Sequence, residues 1–245
     1  MRFNALIEPF EIMHHSSKQE LLKFLSKRSF RKVLDAPSGN GWLGDGMDPE
    51  TIVDGIDLYL DEMKGYNNFW KHDLDEGLPK DCKGYDLICC CEGLEHVGNP
   101  LLLLRHFHRS MTEGGMLVVT TPNVWYPQSR IQYFMRGFFP SFPSLADKVK
   151  PGSHMHITPW SYPQLYLYFK LAGFEPPTII TEPQSKAKHL HEIIFGWPAK
   201  LYGLGKIRTA RTEEERNFWK TANSKESRLS RHLIAISTKA SNESK

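Results

Sequence analysis

Cysteine is scarce in this chain and poorly placed for cross-linking. Cys82, Cys89, Cys90 and Cys91 are the only four in 245 residues, and three of them are consecutive. Consecutive residues of a strand point to opposite faces, so these three cannot pair neatly with one another. There is no Cys-x-x-Cys pair with metal spacing. The four read as small buried hydrophobes in a reducing compartment. Long apolar runs are missing as well. No stretch approaches the roughly 18 apolar residues of a spanning helix. No long apolar run follows the first charges, so no leader peptide is expected and the expected location is cytoplasmic. The net charge is only +3, so a nucleic-acid partner is neither required nor excluded. Internal repeats and low-complexity segments are also absent. What remains is ordinary globular composition, 40% hydrophobic and 24% charged, in a chain long enough for one large domain over residues 1–245.

The most informative stretch is Val33-Leu34-Asp35-Ala36-Pro37-Ser38-Gly39-Asn40-Gly41. Val33 and Leu34 suit a strand buried on both faces, and Asp35 sits where that strand should end. Pro37 fixes one backbone angle, while Gly39 and Gly41 allow positive φ and close approach of the backbone. In an open α/β sheet, a ligand binds outside the carboxyl ends of the strands, which is where this turn falls.

The flanking chain supplies the sheet. Leu21, Leu22, Phe24 and Leu25 give a helix before the first strand, with Ser16 or Ser17 as its cap. A short helix should follow Gly41. Residues 51–58 read as strand two, ending at Asp57 and Leu58. Asp57 lies about 20 residues beyond the glycine turn, the spacing at which a carboxylate meets the ribose hydroxyls of a bound nucleoside. Residues 67–74 form strand three and its exit. There Asp73 either accepts from an adenine amino group or caps the following turn. Tyr85–Cys91 reads as a central strand four, followed by a helix over about 99–112 that buries Leu101, Leu102, Leu104 and Phe107. Gly114-Gly115 breaks that helix, and Met116–Thr121 is strand five. A helix lined by Leu165, Leu167, Phe169 and Leu171, a sixth strand from about 176 and a last strand over 232–237 complete the set. Alternating strands and helices predict a parallel sheet covered on both faces. Two insertions, about 124–155 and 183–231, interrupt the pattern, and a polar tail over 239–245 reads as disordered.

Four pieces in order, Leu34–Gly41, Gly55–Leu58, Tyr85–Val97 and Gly114–Asn123, resemble the class I S-adenosylmethionine-dependent methyltransferases. Within that class the chain looks most like the ubiquinone-biosynthesis type O-methyltransferases and their bacterial relatives. The resemblance runs from about residue 30 to 123 and resumes from His156-Ile157-Thr158-Pro159 to Gly173-Phe174. It implies an α/β, Rossmann-like, mainly parallel seven-stranded sheet with helices on both faces and the two insertions capping the site. S-adenosyl-L-methionine is the implied cofactor. Asp35, Pro37, Ser38, Gly39 and Gly41 would hold its methionine part and Asp57, with Leu58, its ribose. Asp73 and Leu74 would flank the adenine, and Cys91 would line the pocket. One departure is visible: the family's usual first glycine of the turn is Pro37 here, which removes a backbone donor.

In some relatives the pattern Glu92-x-x-Glu95-His96, joined by a second histidine matching His156, resembles a site for a divalent metal such as Mg. Two carboxylates and two imidazoles suit a hard or borderline ion. A metal-free version would use His96 or His156 as general base, with Glu95 beside it; His154 is a weaker candidate. The bland reading has Glu95 and His96 capping the next helix. A base or a metal is what a hydroxyl nucleophile needs, so the cluster favours transfer to oxygen. In the first insertion Trp125, Tyr126 and Arg130 lie nearest the exit of strand five and are the candidate substrate cap. A small molecule or glycan is the expected acceptor. An RNA end, met by Arg208, Arg211, Arg216, Arg228 and Arg231, is the alternative, and nucleic acid is possible without being favoured. A non-catalytic cofactor-binding module and a dehydrogenase fit less well. The apolar stretch 193–204 could rest on a membrane surface, but Pro198 and Gly203 break its helical moment, which ranks that reading lower.

Overall fold

A computed structural model describes residues 15–139, 155–180 and 190–240. Parts of the two expected insertions, residues 140–154 and 183–189, with His154 among them, and the end of the polar tail lie outside them. Seven strands form one sheet: β1 (Lys32–Asp35), β2 (Ile52–Asp57), β3 (Asn68–Lys71), β4 (Tyr85–Cys91), β5 (Met111–Pro122), β6 (Thr178–Ile179) and β7 (His232–Thr238). Their order is β3-β2-β1-β4-β5-β7-β6. The first five pair in parallel, and β7 lies antiparallel between β5 and β6. The strand order therefore reverses at β1, between β2 and β4, which is the switch point where such sheets open a crevice.

Strand alternation builds two core layers. Leu34, Ile56, Ile88, Cys90, Leu117 and Val119 face one side; Val33, Val53, Leu87, Cys89, Cys91 and Val118 face the other. The three consecutive cysteines thus split between the two layers, as their alternation requires. All four cysteines are buried free thiols, and burial pushes the thiols of Cys89, Cys90 and Cys91 well up. On the second face lie α1 (His15–Leu25) and α2 (Trp42–Asp45), through Leu21, Leu25 and Leu43. On the first lie α3 (Pro100–Ser110) and α5 (Tyr162–Ala172). Asn99 caps α3 by accepting from the Leu102 amide, and Pro100 opens its first turn. A Ser161–Gln164 capping box starts α5, and Gly173 ends it in the left-handed region.

The structure corrects several sequence expectations. In α3 Leu103, rather than Leu102, joins Leu104 and Phe107 in the core. In α5 Leu167 and Leu171 are exposed, while Tyr162, Leu165, Phe169 and Ala172 are buried. A helical period selects the second set; the first follows a period of two that a helix does not have. Gly114-Gly115 does not end a helix. The helix stops at Ser110, and β5 runs through both glycines with a register irregularity opposite Tyr85–Leu87. Gly115 is needed there, since a Cβ would come 2.9 Å from the Thr112 carbonyl oxygen.

The region after β5 contains α4 (Pro127–Arg136). Residues 190–231 contain α6 (Leu190–Thr209), α7 (Glu213–Ala222) and α8 (Lys225–Leu229). Pro198 and Gly203 both lie inside α6, which runs 20 residues through them. The buried Asn123 side chain ties the exit of β5 to this region by donating to the Ser227 and Ser230 carbonyls.

Candidate active site

The acids predicted at strand ends meet at the switch point. Asp35 ends β1 and is buried; its Oδ2 accepts from the Tyr66 hydroxyl at 2.6 Å. Burial raises its carboxyl well above the ordinary 3.8, and the neighbouring Asp57 adds to this against the Tyr66 hydrogen bond. Asp57 ends β2. One oxygen accepts from the Gly39 amide at 3.1 Å and the other from the Tyr59 amide at 2.9 Å. The glycine turn is thereby fastened to the end of β2. The Ser38 amide adds a bond to the Ile56 carbonyl, while the buried Ser38 hydroxyl has no hydrogen-bond partner among the described residues. Gly39 and Gly41 have φ of 55° and 76°, which side chains at those positions would strain. Gly41 is also covered closely, since a Cβ would lie 2.9 Å from the Met63 sulfur. Pro37 packs on the turn after β4: a Cβ at Gly93 would meet its ring at 2.2 Å. Leu58 is exposed. Asp73 caps the single 3₁₀ turn Leu74–Glu76, with its Oδ1 accepting from the Asp75 amide at 2.9 Å. The capping reading of Asp73 is therefore seen directly. Cys91 ends β4 in the core.

Directly after β4 the chain turns sharply. Glu92 has φ of 50°, a strained value for a residue with a side chain. Its carboxylate accepts from the Thr120 hydroxyl at 2.8 Å and faces His232 Nε2 at 3.5 Å. A 3₁₀ turn over Leu94–His96 follows. Glu95, His96 and His156 each present a ligand-type atom, all within 4.8 Å of one another. Glu92 is not in this group. The resemblance implies a place for it there, but the turn aims its side chain at Thr120 of β5 and His232 of β7 instead.

His96 Nδ1 lies 2.9 Å from the Met155 carbonyl, so Nδ1 carries the proton and Nε2 the lone pair in the neutral ring. Nε2 is 3.9 Å from Glu95 Oε1. The His156 ring stands edge-on to that of His96 at 4.8 Å between centroids. The Glu95 backbone carbonyl accepts from the amides of Ile157 and Thr158, which fixes the segment carrying His156. The Glu95 carboxyl is almost wholly buried, and neither oxygen has a well-formed hydrogen bond. Burial pushes it up to about 8, against smaller pulls from its own amide and the Thr121 hydroxyl.

Trp125, Tyr126 and Arg130 follow β5. The Trp125 amide donates to Asn123, and the Arg130 guanidinium lies 4.5 Å from the Trp125 ring centroid. Burial and the nearby Arg228 lower the Arg130 pKa. Burial also raises the Tyr126 hydroxyl, with Arg231 opposing. Trp125 and Arg228 line a cleft of about 300 Å³ together with Tyr162, Tyr202 and Trp219.

A sequence profile described as a methyltransferase domain matches residues 11–178. The chain belongs to this methyltransferase domain family. Similar proteins include the ubiquinone biosynthesis O-methyltransferase of Pseudomonas syringae, 31% identical over 107 residues, 38% of this chain and 45% of that one. The protein of the same name from Vibrio vulnificus is 26% identical over 128 residues, 46% of this chain and 54% of that one. The chain thus spans about half the length of the curated relatives it matches. Among solved structures, a methyltransferase in complex with the Trm112 activator of Haloferax volcanii has a TM-score of 0.54 at 14% identity, over 94% of this chain and 91% of that one. A SAM-dependent methyltransferase from Archaeoglobus fulgidus has a TM-score of 0.52 at 17% identity, over 91% and 93%. These two likenesses establish the fold.

Three contributors to the site of this methyltransferase domain were not found by sequence reading. Tyr66 comes from the loop before β3 and reaches Asp35. His232 opens β7 and reaches Glu92, and Thr120 of β5 bonds the same carboxylate. None carries a local signal, because each depends on a pairing across 28 residues or more.

Proposed function

We propose that this chain is an S-adenosylmethionine-dependent methyltransferase that methylates an oxygen of a small molecule or glycan. The observation that carries the reading is the grouping of Glu95, His96 and His156 just beyond the carboxyl end of β4, beside the strand-end acids. The sulfonium already activates its methyl group, so alignment is the main task of the protein. In this reading Asp57 receives the ribose hydroxyls, and Asp35 with the turn from Pro37 to Gly41 holds the methionine part. Asp73 keeps one carboxylate oxygen for the adenine amino group while the other caps its turn. A hydroxyl nucleophile must lose its proton during attack. His96, with Nδ1 fixed on Met155, offers Nε2 as the acceptor, and His156 stands at its edge. Glu95 stands 3.9 Å from Nε2, and its ionised form balances an imidazolium as it forms.

The same three side chains fit a divalent cation. One carboxylate and two imidazoles suit a borderline ion, and the poorly satisfied, buried Glu95 oxygens are what a cation would satisfy. When bound, such an ion would lower the pKa of a coordinated hydroxyl. The RNA-end reading is less well supported. Arg228 is buried and donates to the Asn223 carbonyl, and Arg216 pairs with Glu213, so the five arginines do not form one open cationic face.

Calorimetry with S-adenosylmethionine and a screen of labelled-methyl transfer into candidate hydroxyl acceptors test the proposal. Glu95→Gln and His156→Ala are expected to lower turnover by about 100-fold or more with cofactor affinity within a few-fold of the parent. Lost cofactor binding in both variants, or unchanged turnover, would refute the assignment. A chelator that leaves turnover intact selects the metal-free version.

A further inference from the structure

Helix α6 is built with its small residues inward and its large apolar residues outward. Gly196, Ala199 and Gly203 face the body of the protein, where a Cβ on Gly203 would lie 2.4 Å from the Asn223 side chain. Ile194, Trp197, Leu201 and Leu204 face outward, with exposures of 56%, 54%, 59% and 48%. Their spacing of three, four and three residues places them on one stripe of the helix. Helix α4 is in contact with α6 and exposes Phe134 and Met135, at 90% and 77%. An exposed apolar stripe of this kind on α6 marks an interaction surface rather than a solvated one.

The charges on the two helices identify the partner. Helix α4 has no acid, and the single acid of α6, Glu192, is buried. The exposed charges are all cationic: Arg136, Lys200 and Arg208, with Lys206 half-exposed. Lys200 lies over the Trp197 ring and Lys206 over the Tyr202 ring, which keeps each ammonium beside an aromatic at the rim of the apolar stripe. The three acids that open α7 are turned to other partners: Glu213 to Arg216 and Lys220, Glu214 to Lys170 and Tyr166, Glu215 to the Arg211 amide. No described helix is long and apolar enough to cross a membrane, so this face would lie on a surface rather than span one.

We infer that the outward face of α4 and α6 docks on an anionic lipid bilayer. Apolar and aromatic side chains enter the headgroup boundary while the rim cations meet lipid phosphates. A second copy of this chain is the less favourable occupant. Pairing α6 with itself would set Lys200, Lys206 and Arg208 against their own kind with no acid to offset them.

Flotation of the full chain with vesicles tests this, using phosphatidylcholine alone or with about 30% phosphatidylglycerol. The expected result is binding at least about tenfold stronger to the anionic vesicles, weakened by added salt. Trp197→Glu with Leu201→Glu should abolish it. Lys200→Gln with Arg208→Gln should remove the preference for anionic lipid; this pair changes exposed side chains only and keeps the test valid if the apolar variant folds poorly. Calorimetric S-adenosylmethionine binding, measured in parallel, should not change. Absence of flotation, or equal flotation of parent and both variants, overturns the inference. So does light scattering that shows a dimer split by Trp197→Glu with Leu201→Glu, which would give the face to a second copy.

Discussion

Asp35 is held in a conflict between folding and binding. Its native pKa is raised, so the native state binds that proton more tightly than the unfolded chain does. Its contribution is therefore most favourable at acid pH. It is lost as pH climbs from the ordinary 3.8 through the raised native value. Asn at this position keeps an acceptor for Tyr66 and removes the buried charge. Thermal melts of Asp35→Asn should lie above those of the parent at about pH 8, with the gap closing toward about pH 4. Calorimetry should show weaker cofactor binding, because in the proposed site the charge faces the methionine part. A gap that widens toward acid would show that burial is not the dominant influence on Asp35. The strand-end acids were readable in the sequence because a residue that closes a buried strand has a fixed address. Glu92 was not, since its direction depends on a backbone angle of 50° that residue order does not reveal. Tyr66 and His232 were invisible because the fold alone brings them near.

Strands and most helices followed from their apolar patterns, while α6 did not. Its amphipathic signal is weak, as Pro198 and Gly203 make it, and its pattern is reversed, with small residues inward. Glycine and alanine allow close approach to α7 and α8, and proline at 198 falls on the exposed side, where a bend has room. Gly203 is the tightest point of that contact. Gly203→Leu should destabilise the protein by about 1–3 kcal/mol in urea unfolding, through overpacking against Asn223. Gly205→Leu, two residues on and open to solvent, should cost much less. Equal losses at both positions would assign the effect to helix propensity rather than packing.

The sheet and the later helices are built to different standards of packing. Strands β1, β4 and β5 are buried in two layers of large apolar side chains. No described side chain of α6 or α7 belongs to either layer. Amide hydrogen exchange should therefore be slowest in β1, β4 and β5 and markedly faster in α6 and α7. Protection of α6 equal to that of the central strands would show one cooperative unit instead. The resemblance at sequence level follows the same division, since a doubly covered sheet leaves a strict pattern and a helix held by small residues does not. The Glu95 carbonyl has a consequence of its own. The proposed cofactor side is drawn from residues 35–91, and the segment bearing His156 is joined to it in part by main-chain bonds, from the Ile157 and Thr158 amides to the Glu95 carbonyl. A main-chain anchor does not depend on the identity of the residues it joins. On the proposed function, the segments beyond β5 can vary toward new acceptors while the side that takes the methyl donor stays as it is.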